Sequence, residues 1–150
     1  MKEKIKYAFW IFFPLLLGGI VGVFISNSMD YQNLVQPPLA PPSIVFPIAW
    51  TILYLLIGIA YFSFRKTSDD LKTGVIYYIQ LFFNSLWSII FFVWKMRLFS
   101  IIWIIMLLLL IVILIYQFYQ SRKISAYLLI PYLLWVVFAI YLNIGIYVLN

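Results

Sequence analysis

The stretch IIMLLLLIVILI, residues 104–115, contains only apolar side chains, and it decides the class of fold. Transmembrane β-strands would show segments of about ten residues that alternate between apolar and polar, so an unbroken run favours a helix. The apolar stretch around it covers residues 98–118, and about 20 helical residues are enough to cross a bilayer. The sequence therefore predicts a membrane-spanning helix in this part of the chain.

Four more apolar stretches of comparable length occur, at residues 5–25, 44–64, 74–94 and 124–149. The first lacks a small-residue cleavage site and is too long for the apolar part of a signal peptide, so we expect it to remain as a helix. The predicted fold is all-α, an integral membrane bundle of five transmembrane helices. Residues 1–150 are expected to form one transmembrane domain, since five spans leave no room for a separate soluble domain.

The composition excludes most ordinary catalytic chemistries. The chain is 67% hydrophobic and 9% charged and has no cysteine and no histidine; its four carboxylates are Glu3, Asp30, Asp69 and Asp70. Disulfides, His-based metal or haem ligation and Ser-His-Asp or Cys-His nucleophiles are therefore excluded, and we expect no metal and no required cofactor. Because charged residues lie only at or outside the ends of the predicted spans, a proton-coupled exporter and an ion channel are also disfavoured.

The basic residues predict the orientation of the chain. Two of them, Lys95 and Arg97, fall on one side of the predicted spans. Eight fall on the other side: Lys2, Lys4, Lys6, Arg65, Lys66, Lys72, Arg122 and Lys123. By the positive-inside rule we expect a cytoplasmic N-terminus, with the first loop and the C-terminus outside, in a multi-pass protein of a bacterial cytoplasmic membrane. The net charge of +6 thus indicates topology, and no nucleic-acid partner is expected.

The connection between the first two spans differs from the others. It covers residues 27–43 and contains Pro37, Pro38, Pro41 and Pro42, which exclude a helix and favour a stiff, extended or turn-like loop. Loops of this length in compact domains are commonly functional, so we interpret this Pro-rich loop as a lid, with a plain connector as the alternative. The other connections are short and predict antiparallel neighbours for consecutive helices.

Polar side chains form one stripe in the third span. Gln80, Asn84 and Ser88 are spaced four residues apart, so they share one face of a helix, and Trp87 lies beside them. Unsatisfied polar groups are costly in hydrocarbon, so this face is expected to point into the bundle. The spacing leaves two interpretations open, namely hydrogen bonds that join neighbouring helices and contacts with a bound ligand.

The second and fifth spans each carry aromatic residues along one helical face. These faces hold Pro47, Trp50, Tyr54 and Tyr61 in the second span and Pro131, Trp135, Ala139, Asn143 and Tyr147 in the fifth. Trp50 and Trp135 lie several residues inside their spans, so an interfacial aromatic belt does not account for them. Beside small residues they predict either tight packing or a slot for a flat, largely apolar molecule. In the first span, Gly18, Gly22 and Ser26 predict close helix packing or a dimer seam.

Three motifs follow one another in the second, third and fifth spans. They are FPxxWTxLY at residues 46–54, QLxxNxxWSxxFF at residues 80–92 and PYxxWxxFAxxLN at residues 131–143. With the five-span layout and a Pro-rich loop that ends in Pro41 and Pro42, they give a resemblance that covers nearly the whole chain. The chain resembles the tryptophan-rich sensory protein family, also called the translocator protein or peripheral-type benzodiazepine receptor family.

The resemblance implies a tightly packed five-helix bundle that forms a homodimer, with a pocket between the helices under the first loop. Members of this family bind porphyrins, notably protoporphyrin IX, and benzodiazepine-type ligands, and some bacterial members are similar to light-dependent porphyrin-degrading enzymes. By the same resemblance, Trp50 and Asn84 are implied to meet the polar group of a ligand. It further implies lid contacts from Tyr31 and Pro41 and a pocket wall of Trp87, Ser88, Trp135, Ala139 and Leu142. The helical faces add three more candidate ligand-binding residues, namely Tyr54, Gln80 and Asn143.

This chain departs from the family pattern in the first loop. The family often has a basic residue and a tryptophan there, in the pattern KPxWxPP, where this chain has Gln36 and Leu39. A lid cation that would pair with a porphyrin propionate is therefore absent. Neither Lys nor Arg follows Lys123, so the cholesterol-recognition pattern expected near the end of the fifth span is missing, and sterol binding is not supported.

The residues and the resemblance favour a membrane receptor or sensor that binds porphyrin-type tetrapyrroles in an aromatic pocket. Its expected partners are a porphyrin or another flat apolar molecule, and membrane lipids. A second hypothesis is an enzyme that degrades porphyrin in light, with Trp50 and Trp135 as redox-active side chains. A third is a transporter of tetrapyrroles or lipids, although no inverted repeat or coupling-ion site is visible. The remaining alternative is a small scaffold whose polar stripes hold the helices together.

Overall fold

A computed structural model describes residues 1–150, and every regular element in it is helical. The helices are α1 (Lys2–Ile25), α2 (Val45–Arg65), α3 (Leu71–Ser88), α4 (Arg97–Ser121), α5 (Lys123–Leu128) and α6 (Ile130–Leu149). Short 3₁₀ turns at Ser26–Ser28 and Tyr31–Asn33 follow α1, and a π-helical turn at Ile89–Val93 continues α3. The all-α prediction is confirmed, and it follows from the need of a backbone in hydrocarbon to satisfy its own polar groups.

Five helical segments are long and apolar enough to cross a membrane, as predicted. They are Lys2–Ser28, Val45–Arg65, Leu71–Val93, Arg97–Ser121 and Lys123–Leu149, and the shortest of them has 21 residues. Because a helix rises about 1.5 Å per residue, each segment reaches across roughly 30 Å of hydrocarbon. The chain thus has the length and composition of a five-span membrane protein.

The helices pack in a ring in the order α1, α2, α5 with α6, α4 and α3, and α3 packs back against α1. The short connection between α2 and α3 predicts that these two helices are direct neighbours. In the structure they approach each other chiefly through large side chains across the middle of the ring. Tyr61 of α2 and Tyr77 of α3 are stacked there with their ring centroids 3.8 Å apart. Aromatic side chains therefore fill the space between two helices that are consecutive in sequence.

The apolar residues of α4 divide into a packed face and an outward face. Ile104, Leu107, Ile111 and Leu114 are almost completely buried, and their spacing of three and four residues places them on one stripe. Leu109 lies on the opposite side and is 59% exposed. The packed face of a uniformly apolar helix is not visible in its sequence, because lipid and protein interior are equally apolar surroundings.

The fifth span is interrupted, whereas the sequence predicts one continuous apolar span over residues 124–149. A turn at Leu129 separates α5 from α6. Pro131 stands in the first turn of α6, where a missing amide hydrogen is tolerated, whereas in a continuous helix it could not bond to the carbonyl oxygen of Tyr127 and its ring would clash with that group. The break therefore follows from Pro131, and the two pieces together still span the bundle.

The Pro-rich loop lies over the end of the bundle at which α1 and α6 end and α2 begins. Asn150 holds it by two hydrogen bonds: Oδ1 accepts from the Val35 amide (3.0 Å), and Nδ2 donates to the Val35 carbonyl oxygen (2.8 Å). The Tyr141 hydroxyl of α6 donates to the carbonyl oxygen of Pro38. These contacts fasten the loop to α6, as expected for a lid.

Two glycines permit contacts that a larger residue would block. Gly145 of α6 lies against Pro37 of the lid, and an added Cβ atom would stand 2.6 Å from the proline ring. Gly18 of α1 lies directly against the ring of Tyr54, whereas an added Cβ atom at Gly22, one turn later, would have nothing within 4 Å. At Gly18 the small-residue face predicted in α1 therefore packs inside the bundle. Gly22 borders a cavity between the helices.

The start of α3 is capped at the basic end of the bundle. Oδ2 of Asp70 accepts hydrogen bonds from the hydroxyl and the backbone amide of Thr73. These bonds stabilise the charged carboxylate and so lower the pKa of Asp70 below its usual value. Because an N-cap of this kind satisfies an amide that has no partner within the helix, α3 begins at the residue after Asp70.

Candidate functional site

A cavity of about 830 Å³ lies under the lid, between α1, α2, the end of α3 and α6. Its volume falls in the range of about 300–1,000 Å³ that is typical of ligand pockets. Most of the wall is apolar or aromatic, and polar side chains of the lid, including Gln32, Asn33 and Ser43, stand at one end. No charged side chain lines the cavity. It is therefore suited to a largely apolar molecule with a polar edge.

Eight of the residues predicted for the site lie in the wall of this cavity. They are Tyr31, Trp50, Tyr54, Trp87, Ser88, Ala139, Leu142 and Asn143. The fold brings them together from the lid, α2, α3 and α6. The other four predicted residues, Pro41, Gln80, Asn84 and Trp135, lie outside the wall, and each of them contacts a residue that lines it or continues a hydrogen-bond chain from one.

Trp50 is the centre of the aromatic side of the wall. Its ring is stacked on Tyr54 with the centroids 5.4 Å apart, and it lies 6.4 Å from the ring of Trp87. Trp135 meets it edge-on at 6.3 Å. Stacked and edge-to-face pairs at about 4.5–7 Å are favourable for aromatic rings. Three neighbours therefore hold the Trp50 ring in one position at the cavity.

Trp135 supports the wall from outside. Besides Trp50, its ring meets Phe46 edge-on at 5.9 Å, and Phe46 lines the cavity. The indole Nε1 of Trp135 is buried and has no hydrogen-bond partner. Trp135 thus does not line the cavity itself, but it contacts two aromatic residues that do.

The polar stripe of α3 continues into a buried hydrogen-bond chain beside the cavity. The Tyr54 hydroxyl donates to Oδ1 of Asn84 (2.9 Å), and Nδ2 of Asn84 donates to the Tyr132 hydroxyl (2.8 Å). The Tyr132 hydroxyl in turn donates to Oε1 of Gln80 (2.8 Å). The chain joins α2, α3 and α6, so Gln80 and Asn84 make hydrogen bonds between helices. Asn84 does not line the cavity, but it is bonded to Tyr54, which does.

Asn143 connects the wall to α4. Its Oδ1 accepts from the indole Nε1 of Trp87 (3.0 Å), and its Nδ2 donates to the hydroxyl of Ser100 (3.0 Å). Ser100 donates to the carbonyl oxygen of Arg97 (2.7 Å). Trp87 and Asn143 were predicted on separate helical faces, and the fold brings them into direct contact.

The two predicted lid residues are bonded to each other. The Tyr31 hydroxyl donates to the carbonyl oxygen of Pro41 (2.9 Å), and the Tyr31 ring meets Phe46 edge-on at 4.8 Å. Burial raises the pKa of Tyr31 above its usual value, because it disfavours the charged phenolate. The hydroxyl is therefore a stable hydrogen-bond donor at neutral pH, and Pro41 holds Tyr31 at the cavity by accepting from it.

An ion pair fastens the start of the lid to α4. Nη2 of Arg97 donates to both carboxylate oxygens of Asp30 (3.1 and 2.8 Å), and Nζ of Lys95 lies 3.7 Å from the same carboxylate. The Arg97 guanidinium group also lies over the ring of Phe91, 4.4 Å from its centroid, and Phe91 lines the cavity. This latch, defined by Asp30 and Arg97, connects the lid directly to the cavity wall.

Sequence reasoning did not single out all of these residues. Tyr132 stands inside the motif at residues 131–143, so closer attention to motif neighbours would have found it. Asp30 is the single carboxylate between α1 and α2, opposite two basic residues, which is a recognisable signal for a latch. Phe92 lines the cavity beside Ser88 and continues the stripe of Gln80, Asn84 and Ser88 at the same spacing of four residues, which is the signal that marks it.

The arrangement can bind a flat ligand by stacking and burial. An added Cβ atom at Gly19 or Gly22 of α1 would have nothing within 4 Å, and both glycines line the cavity together with Trp50 and Tyr54. The cavity therefore has both aromatic rings and small residues in its wall. No acid or base stands in the wall, and no group of three His, Cys, Asp or Glu side chains in the chain is close enough to hold a metal ion.

Comparison with known proteins points to one family. The profile of the TspO/MBR family matches residues 10–149. A tryptophan-rich protein TspO of Archaeoglobus fulgidus is 35% identical over 140 residues, which are 91% of this chain and 91% of that protein. A protein of the same name from Chlorobaculum tepidum is 38% identical over 127 residues, 82% of this chain and 80% of that protein. A tryptophan-rich sensory protein of Cereibacter sphaeroides is 32% identical over 122 residues, covering 81% of this chain and 77% of that protein.

Proposed function

This chain belongs to the TspO/MBR family, and from that premise we propose that it is a membrane receptor whose cavity binds a porphyrin-type tetrapyrrole, protoporphyrin IX in particular. The observation that carries the proposal is the position of Trp50, an aromatic ring held at the cavity wall by three neighbouring rings. A planar macrocycle gains from stacking on such a ring, by about 0.5–1.5 kcal/mol beyond the burial of its surface.

The remaining walls fit the same ligand class. Small residues of α1, including Gly19 and Gly22, leave room beside the aromatic side of the cavity. At the lid end, the side chains of Gln32, Asn33 and Ser43 supply neutral hydrogen-bond donors for the carboxylates of a porphyrin. The basic residue that the family often has in this loop is replaced by Gln36 in this chain, so we expect propionates to be bound by neutral groups.

The test is a titration of the purified protein with protoporphyrin IX, followed by tryptophan fluorescence against a blank of detergent alone. We expect saturable quenching. Trp50→Phe should weaken binding by roughly twofold to tenfold, the equivalent of one aromatic contact, and Trp135→Phe should weaken it less, because Trp135 does not line the cavity. Trp94→Phe is the control, since Trp94 is exposed and stands outside the wall.

Two results would contradict this proposal. One is the absence of saturable quenching in the wild-type protein. The other is a Trp50→Phe variant that binds protoporphyrin IX with the same affinity as Trp94→Phe, which would mean that the ligand does not contact the aromatic side of the cavity.

A second candidate function, light-dependent degradation of the bound porphyrin, is favoured by the contact of Trp50 with Trp135 and Tyr132. Their rings lie 6.3 and 6.4 Å from that of Trp50, so an oxidised Trp50 would have electron donors beside it. The porphyrin would act as its own photosensitiser: in light it would take an electron from Trp50 and pass it to dissolved dioxygen, the oxidant of the reaction. Absorption bands of bound porphyrin should then decay faster in light than those of free porphyrin in the same detergent, and Trp50→Phe should remove the difference. If bound and free porphyrin decayed at equal rates, the protein would bind porphyrin without degrading it.

A further inference from the structure

A second groove lies at the opposite end of the bundle from the lid, between the start of α1, the end of α2 and the start of α3. It encloses about 610 Å³ and is lined by apolar and aromatic side chains with two charged residues, Lys6 and Arg65, both of them basic. It shares no lining residue with the cavity under the lid. The groove is therefore a separate site with a cationic end.

Trp10 brings the two positive charges together. Nζ of Lys6 lies 4.9 Å from the centroid of the Trp10 ring, and Cζ of Arg65 lies 5.3 Å from it. Each cation is attracted by the ring, and both of them line the groove. An anion at this end of the groove would be attracted by both groups.

One buried hydrogen-bond donor of Arg65 lacks an acceptor. Nη2 of Arg65 lies 3.3 Å from Oδ1 of Asp69, but the Asp69 side chain is 91% exposed, and exposed ion pairs of this kind contribute little. Nε of Arg65 is buried and has no hydrogen-bond partner. Because buried donors in proteins are almost always paired, this nitrogen indicates a missing acceptor at the groove.

The groove continues along an outward face of α3. Val75, Ile79 and Phe82 are spaced four and three residues apart, line the groove and are between 40% and 58% exposed. They lie within the span Leu71–Val93, at increasing depth from the cationic end. A hydrocarbon chain laid along this face would thus begin at the two cations and run into the bilayer.

We propose that this groove binds one anionic phospholipid, with the phosphate between Lys6 and Arg65 and an acyl chain along Val75, Ile79 and Phe82. The two cations favour an anionic headgroup. The exposed apolar face of α3 that continues the groove favours an amphiphile over a soluble anion. The phosphate oxygens accept from the guanidinium group of Arg65 and the ammonium group of Lys6, as charge-assisted hydrogen bonds. The lipid holds α1 and α3 together at the basic end of the bundle.

The test is native mass spectrometry of the delipidated full chain, titrated with phosphatidylglycerol or with phosphatidylcholine of the same acyl chains. We expect one phosphatidylglycerol to be retained in preference to phosphatidylcholine. The double variant Lys6→Gln/Arg65→Gln should bind phosphatidylglycerol about tenfold more weakly and lose the preference. Lys72→Gln/Lys123→Gln is the matched control: it removes two charges from the same end, and neither residue lines the groove.

A second variant keeps the proposal testable if the double variant does not fold. Val75→Trp fills the groove at a half-exposed position without changing the charge, and it should reduce retention of phosphatidylglycerol by a similar factor. Equal retention of the two lipids by the wild-type protein, or equal loss in the matched control, would overturn the proposal. If glycerol 3-phosphate competed as well as the whole lipid, the occupant would be a soluble anion and the lipid assignment would be wrong.

Discussion

Asn84 joins three helices through one amide group. Its Oδ1 accepts from Tyr54 of α2, and its Nδ2 donates to Tyr132 of α6. The Asn84 side chain is almost completely buried, so neither water nor lipid replaces these partners. At this residue the resemblance implies a ligand contact, while the hydrogen bonds give Asn84 a second role in holding the aromatic wall, because Tyr54 lines the cavity.

We expect Asn84→Leu to lower the free energy of unfolding by about 1–2 kcal/mol, because it leaves the Tyr54 hydroxyl without an acceptor. The porphyrin affinity should fall less than in Trp50→Phe. In a double-mutant cycle, Tyr54→Phe/Asn84→Leu should cost less than the sum of the two single changes, since each single change breaks the same bond. Thermal unfolding in detergent measures the stability. Unchanged stability with a large loss of affinity would make Asn84 a direct ligand contact instead.

Gly58 lies at a close approach of α1 and α2. A Cβ atom at this position would collide with the backbone carbonyl group of Ile11, and backbone cannot move aside as a flexible side chain does. Gly58→Ala should therefore destabilise the protein by about 1–3 kcal/mol, as overpacking of a tight core does. Gly19→Ala is the matched control, because nothing lies within 4 Å of an added Cβ atom there. If both variants unfolded at the same temperature as the wild-type protein, the close packing of α1 on α2 would be refuted.

At the scale of elements, the lid is held at its start and at its middle. Its start is fastened to α4 by the latch of Asp30 and Arg97, and its middle is fastened to α6 through Val35 and Asn150. The prolines follow the second point, and Tyr141 of α6 donates to the carbonyl oxygen of Pro38 among them. We therefore expect the latch to slow opening of the cavity at this end.

Asp30→Asn should loosen the lid without changing the shape of the residue. We expect hydrogen exchange of the lid amides, and dissociation of protoporphyrin IX, to become severalfold faster, because a partly buried ion pair becomes at most one hydrogen bond from the guanidinium group to a neutral amide oxygen. Lys95→Gln is the control and should have a small effect, since Lys95 is half-exposed and lies farther from the carboxylate. Lid exchange as slow in Asp30→Asn as in the wild-type protein would show that the latch does not hold the lid.

The whole molecule has two unlike ends. One end carries the lid, the cavity and two basic residues, Lys95 and Arg97; the other carries eight basic residues and the second groove. The positive-inside rule, applied to this distribution, predicts that the lid end lies outside the cytoplasm. The homodimer likewise stays a prediction of the resemblance.

A reporter fused after Asn150 tests the orientation. Alkaline phosphatase at this position should be active, because the enzyme matures outside the cytoplasm, and a fusion after Arg65 should be inactive. The reverse pattern would place the cavity on the cytoplasmic side. Replacing both Lys95 and Arg97 by Gln should leave the orientation unchanged, since the excess of basic residues at the other end increases.

Much of this architecture can be predicted from the sequence because membrane spans depend on one local property, the length of apolar chain. The run at residues 104–115 predicts a span without any knowledge of its neighbours, and the four prolines of the first loop predict a stiff connection. The packed face of α4 cannot be predicted in this way, because Leu107 and Leu109 are chemically identical and differ only in which neighbour they meet.

The polar stripe of α3 shows where prediction ends. Spacing of four residues places Gln80, Asn84 and Ser88 on one inward face, but Ser88 lines the cavity while Gln80 and Asn84 are enclosed. The difference arises because Tyr54 and Tyr132, from two other helices, fill the space in front of the first two residues of the stripe.

The sequence by itself determined five spans, a Pro-rich lid, the unequal charge of the two ends and the set of inward faces, since each depends on local composition or on helical period. The tertiary structure alone decided the depth of the cavity, the position of Trp135 behind Trp50 and the latch of Asp30 and Arg97. Each of these depends on contacts between large side chains or charges that are far apart in sequence. No local pattern in the sequence encodes such contacts.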